Sequence, residues 1–227
     1  MARLLLFDID GTLLLGASAE HRDAVHEAIR AVWPAVDPDG LRVEAAGRTD
    51  LDIARDVLVL AGLDARRIDD GMPSFREAAT EAYARRCPPD LRDKVAPGVP
   101  SVLEALRERG EVLALVTGNL EPIARLKLER AGLGGFFARG EGGFGSDHED
   151  RAALPPIARA RAGRRAGLDR PWPRARTVVV GDTPRDVACA RADGVRVVAV
   201  TTGPFGRGDL TGADAVVDRA TELLDVL

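Results

Sequence analysis

Leu4-Leu5-Leu6-Phe7-Asp8-Ile9-Asp10-Gly11-Thr12-Leu13 is the stretch from which the rest of this 227-residue chain can be read. A short continuous apolar run is the pattern of a strand buried on both faces, and this one ends in two carboxylates and a glycine. The pattern returns three times. Val112-Leu113-Ala114-Leu115-Val116 ends in Thr117-Gly118-Asn119, Val178-Val179-Val180 ends in Gly181-Asp182, and the run Val195 to Val200 ends in Thr201-Thr202-Gly203. Between these runs lie helical patterns over about 99–109, 121–131, 151–161 and 184–192. Pro122 and Pro184 stand where a first helical turn tolerates proline, and Gly110, Gly132 and Gly194 stand where helices stop. Strand–helix alternation of this kind predicts an α/β fold: a Rossmann-like, three-layer core with a parallel sheet between helices.

One interval breaks the rhythm. From about Gly16 to Lys94 the helix-like segments 19–32, 50–61 and 73–86 follow one another with no strand between them. A helical insertion after the first strand accounts for this, leaving residues 1–15 and 95–227 to the core and 16–94 to the insertion. Length agrees, being long for one minimal domain and short for two. Hydrophobic residues make up 45% of the chain and charged residues 30%, enough to bury a core. The net charge of −4 argues against general nucleic-acid or anionic-membrane binding. No apolar run approaches a membrane span, Asp8 comes too soon for a signal peptide, and two distant cysteines make no disulfide framework. A cytoplasmic protein is the expectation. Arg159 to Arg176, with seven arginines, reads as a solvated helix end and loop.

Ligands of open parallel sheets bind beyond the carboxyl ends of the strands. There this sequence places Asp8 and Asp10, then Thr117 and Asn119, then Asp182 with Asp186. Several carboxylates held close repel one another and call for a cation, and oxygen ligands with open positions suit Mg²⁺. Asp8 and Asp10 are two apart, so on an extended segment both side chains can face one way, one attacking while the other moves protons.

The segment 5–13 closely resembles motif I of the haloacid dehalogenase-like hydrolase superfamily. Leu115-Val116-Thr117-Gly118-Asn119 looks like its motif II, and Val180-Gly181-Asp182-Thr183-Pro184-Arg185-Asp186 looks like its motif IV. The insertion stands where that superfamily carries its helical type-1 cap, and the architecture resembles the phosphoglycolate phosphatases. The resemblance implies that Asp8 is a nucleophile forming an aspartyl-phosphate, with Asp10 as general acid and then base. It also implies that Thr117, with Gly118 and Asn119, binds the phosphoryl group of a small phosphorylated metabolite. Mg²⁺ would be held by the Asp8 carboxylate, the Asp10 backbone carbonyl and Asp182, with Asp186 completing or orienting the shell. Motif III departs from the pattern, because no lysine follows Lys127. Arg151 lies in the expected interval and is favoured as the stand-in; Lys127 sits about two turns into a helix and is expected to lie away from the sheet edge.

Gly47-Arg48-Thr49-Asp50 resembles the specificity loop of type-1 caps, where Arg48 could pair with a second anionic group of the substrate, although a plain helix N-cap explains the same residues. The match of 140–145 to a dinucleotide fingerprint reads as a loop, and the acidic run 147–150 as solvated. His21 and His26, five apart, make no helical metal pair; surface placement is the expectation, with the cap's inner face the alternative for one of them. The expected function is a Mg²⁺-dependent phosphatase. A hexose-phosphate mutase and a non-catalytic phospho-ligand binder are the alternatives.

Overall fold

The computed structural model describes residues 2–227. Six parallel strands, β1 (Leu4–Phe7), β2 (Val112–Thr117), β3 (Gly143–Phe144), β4 (Thr177–Gly181), β5 (Arg196–Val200) and β6 (Ala215–Val217), form one sheet in the order β3-β2-β1-β4-β5-β6. Register pairs Leu5 with Leu113 on one side of β1 and with Val178 on the other. The strands are apolar throughout because both faces are covered, and alternate residues feed different cores. Leu5, Phe7, Leu113, Leu115, Val178 and Val180 pack in one cluster with α4 (Val99–Glu108), α5 (Glu121–Arg130) and α8 (Leu223–Val226). Leu4, Leu6, Ala114, Val116, Val179 and Val197 point the other way, against α6 (Leu154–Arg165) and α7 (Pro184–Asp193). The three layers are those expected. The edge strands β3 and β6, two and three residues long, were not foreseen, being too short to show a pattern of their own.

After β1 the chain runs into α1 (Ala19–Val32), α2 (Asp50–Leu60) and α3 (Ala65–Arg86), which form the helical cap. These bury a separate cluster around Ile29, Trp33, Leu58, Phe75 and Tyr83, which Leu120 and Ile123 at the start of α5 join. Helix α3 begins eight residues before the expected Pro73. Asp64 caps it by accepting from Arg67 N at 3.0 Å, and the buried Ile68, Met72 and Phe75 carry one apolar face across the proline. The two crossings between cap and core lie side by side: Leu15 N donates to Lys94 O at 2.7 Å and Ala96 N to Leu13 O at 2.9 Å.

The arginine-rich stretch is less solvated than expected. Arg159 is buried in a two-pronged ion pair with Asp193, and Arg161 and Arg165 pair with Asp147 and Glu141. Among the described residues no helix is long and apolar enough to cross a membrane.

Candidate active site

Strand β1 lies between β2 and β4, and the chain builds outward from it first on one side and then on the other. The gap between β1 and β4 is therefore the switch point where ligands of such sheets bind. Asp8 follows Phe7 at that point, its N–H donating to Val180 O at 2.9 Å, and Asp182 emerges from β4 beside it. Gly11 makes the turn after Asp10 with φ +88°, and a Cβ there would lie 2.1 Å from Asp182 Oδ2, so the chain can pass this carboxylate only as glycine. Asp186 is fixed by the start of α7. Its Oδ2 accepts from Thr183 N at 3.0 Å and Thr183 Oγ1 at 2.8 Å, closing a capping box.

Asp8, Asp182 and Asp186 are buried and each offers an oxygen within 4.8 Å of the others. Burial pushes the Asp8 carboxyl up to about 6, Arg151 opposing and Asp186 and Asp10 adding to the rise. Burial, then the neighbouring Asp8 and Asp186, push Asp182 up to about 8, although Thr12 Oγ1 donates to it at 2.9 Å. Three hard oxygen donors that repel one another in a dry corner fit a divalent cation. Arg151, buried at the N-terminal edge of α6, supplies the positive charge present: its Nη2 lies 3.0 Å from Asp8 Oδ1 and 2.5 Å from Asp186 Oδ1. Arg151 thus stands against both Asp8 and Asp186.

Lys127 is also in the site, contrary to the expectation that it would lie away from it. It is fully buried, and its Nζ lies 2.7 Å from both carboxylate oxygens of Asp10. Side chains on a helix lean toward its N-terminus, and the four-carbon stem carries the ammonium from the second turn of α5 back to the sheet edge. Burial raises the Asp10 pKa, but the Lys127 charge and the hydrogen bonds from Lys127 and Asn119 outweigh it and hold that carboxyl below its usual range. Asn119 Nδ2 donates to Asp10 Oδ2 at 2.8 Å, and a carboxylate partner that only accepts fixes the amide this way round. Thr117 is fully buried, its Oγ1 accepting from the same Nδ2 at 3.1 Å. Arg151 Nε and Asn119 Oδ1 are buried without a hydrogen-bond partner, the state of groups that await a ligand.

A cavity of about 580 Å³ joins Asp8, Asp10, Asp182 and Arg151 to His21 and Arg48 of the cap. His21 is buried on the inner side of the cap, not at the surface; its ring packs edge-on against Tyr83. Arg48 lines the cavity, but its guanidinium is engaged by Asp52 at 2.6 Å and Asp56 at 2.5 Å, carboxylates of α2, which begins two residues after it. Thr49 is the N-cap of α2, accepting from Asp52 N at 3.1 Å and donating to Glu149 O of the core at 2.6 Å. At Gly118 the cap rests directly on the core: a Cβ would lie 1.9 Å from Arg48 O, so no larger residue fits there. The acidic run 147–150 is occupied by pairing, Asp147 with Arg161 and Glu149 with Arg55, while Asp150 caps the turn before α6.

The family model for haloacid dehalogenase-like hydrolases matches residues 5–191. Among curated relatives, a plasmid-encoded phosphoglycolate phosphatase of Cupriavidus necator is 31% identical over 94% of this chain and 88% of its own length. An N-acetylmuramic acid 6-phosphate phosphatase of Pseudomonas aeruginosa is 28% identical over 99% of this chain and 94% of its own. Among solved structures, a variant of CbbY from Rhodobacter sphaeroides in complex with xylulose-(1,5)bisphosphate shares the fold, with a TM-score of 0.67 at 21% identity over 98% and 96% of the two chains. Motif order, sheet topology and the helical cap agree with that match over most of the sequence, and the chain belongs to the haloacid dehalogenase-like hydrolase family.

Proposed function

We propose that this protein is a Mg²⁺-dependent phosphatase of a small phosphorylated metabolite, a sugar phosphate or a phosphorylated carboxylate such as its relatives are named for. The observation that carries this reading is one cavity lined by Asp8 and Asp182, two members of a buried three-carboxylate cluster completed by Asp186, together with Arg151 paired with that cluster and Asp10 held by Lys127. Asp8 Oδ attacks phosphorus, the ester P–O bond breaks, and Asp10, ionised before the ester binds but protonated beside the dianionic ester, gives its proton to the departing alkoxide. A water oxygen then attacks phosphorus, its proton passes to Asp10, and the Asp8–phosphorus link breaks to release phosphate. Asp8 and Asp182 would hold the metal through their carboxylates and Asp10 through its carbonyl. The oxygens of Asp186 are already shared with Arg151 and Thr183, which suits an orienting role. When bound, the ion shields the anionic ester from the anionic nucleophile. Arg151 Nε and the Thr117 hydroxyl hydrogen would go to phosphoryl oxygens, and Arg48, with both its carboxylate partners nearby, would reach a substrate anion only by leaving them. The crossings at Leu15–Ala17 and Lys94–Pro97 would be the hinges, and the domain boundaries would fall there, at 15/16 and 94/95.

Phosphate release from an aryl phosphate and from a panel of 2-phosphoglycolate, N-acetylmuramic acid 6-phosphate and hexose phosphates, with Mg²⁺ and with chelator, tests the reading. Metal-dependent release is the expected result. Rearranged sugar phosphate without release would indicate a mutase, and silence from a folded protein that binds Mg²⁺ would indicate a binding relative.

A further inference from the structure

Lys127 is a core residue whose surroundings are completed by the cap. Its Nζ has three hydrogens to place. Two go to the oxygens of Asp10, and the third points at His21 Nδ1, 3.1 Å away on α1. An ammonium can only donate, so Nδ1 must be the acceptor, which leaves Nε2 as the protonated nitrogen. Nε2 in turn faces Asp50 Oδ2 at 3.1 Å, at the start of α2, and Tyr83 of α3 lays its ring 5.9 Å from Nζ. Asp50 is itself fastened to the core loop after β2: Leu120 N donates to its Oδ2 at 2.8 Å, and its own N–H donates to Gly118 O at 2.9 Å. Four buried or half-buried side chains thus form one line, Asp50–His21–Lys127–Asp10, whose first two members belong to the cap and whose last two belong to the core. A salt bridge from Asp10 to Lys127 would not need a histidine behind it; a line ending at the loop that docks the cap ties the acid–base group to the seating of the cap.

We propose that His21 and Asp50 are positioning residues that hold Lys127 on Asp10, so that the acid–base group is set for proton transfer only when the cap is seated. The proposal rests on Asp10 serving as acid and base in the phosphatase reaction. With His21 in place, Lys127 keeps both remaining hydrogens on Asp10; without it, the ammonium loses the acceptor that fixes its direction. While Asp10 gives its proton to the leaving oxygen, the pinned ammonium stabilises the carboxylate left behind.

Two substitutions divide the histidine's contacts. His21→Asn leaves an amide oxygen near the place of Nδ1 and keeps the acceptor for Lys127, whereas His21→Gln reaches toward Asp50 and gives that acceptor up. The readout is kcat/KM, which reports leaving-group departure, on an alkyl phosphate that needs a proton donor and on an aryl phosphate whose leaving group departs as a stable anion. For His21→Gln the expected result is a loss of about tenfold or more on the alkyl ester and about threefold or less on the aryl ester, with KM unchanged. His21→Asn should stay within about threefold of wild type on both. Equal losses on the two esters, or no loss in either variant, would overturn the proposal, because a cap that merely packs badly slows both reactions alike. A wild-type protein inert on both esters would overturn the phosphatase reading itself, an outcome distinct from an active enzyme with indifferent His21 variants.

Discussion

Replacing Asp8 by asparagine should abolish turnover of phosphate esters, by on the order of 10⁴-fold or more in kcat, and leave the protein folded. The amide occupies the volume of the carboxylate, so the packing beside Phe7 and Val180 persists, but it has no anionic oxygen to attack phosphorus. The metal-free variant should also melt no lower than wild type. Asp8 is buried among other acids, its carboxyl raised to about 6, so its ionised form opposes folding at neutral pH. A group essential for turnover whose removal costs no stability is the signature of a site held under electrostatic strain. Circular dichroism and a melting curve with chelator, run beside the phosphate assay, check both halves. A variant that loses activity only because it unfolds would leave Asp8 with no more than a structural role.

Arg151→Met has the second large effect, on stability first. Nη2 of this arginine is the contact Asp8 and Asp186 share, and removing one partner of a buried ionic group costs about 3–5 kcal/mol. In a chain of this size that is a fall in Tm on the order of ten degrees without metal. Its pH dependence follows from the two raised carboxyls. Asp8 at about 6 and Asp182 at about 8 lie above the ordinary carboxylate value, so between those limits the unfolded chain sheds protons that the folded chain retains. Stability therefore falls as pH rises toward 8, and Arg151, which lowers both groups, moderates the fall. The Tm gap between wild type and Arg151→Met should be widest near pH 8, narrow as pH drops below about 5, and shrink again when Mg²⁺ is added. A gap independent of pH and of metal would mean that Arg151 acts by packing alone.

The sheet and the acid cluster were readable in the sequence because both depend on local pattern. An apolar run buried on two faces must stop where it meets the ligand edge, so Asp8, Asp10 and Asp182 declare themselves by the strands they terminate. The residues that sequence reading misplaced depend on pairings far apart in the chain. Lys127 meets His21 across 106 residues and Asp10 across 117, and no spacing along the sequence encodes either contact. Arg48 is the opposite case: its partner Asp52 stands only four residues on, so that pairing, unlike those of Lys127, lies within reach of a local reading. For His21 the spacing to His26 excludes a helical metal pair but leaves open whether the ring faces solvent or the inner side of the cap. Its partners turned out to be a lysine and an aspartate from other elements, a use of imidazole that periodicity does not reveal.

The central claim, that Asp8 carries the phosphoryl group, is tested most directly by trapping it. The enzyme is mixed with Mg²⁺ and a phosphate ester, quenched in acid during turnover and reduced with borohydride, which converts an aspartyl-phosphate to homoserine. Peptide mass spectrometry should find homoserine in place of aspartate at Asp8, dependent on metal and ester and absent when either is withheld. Reduction at another carboxylate, or steady phosphate release with Asp8 unmodified throughout, would contradict the account.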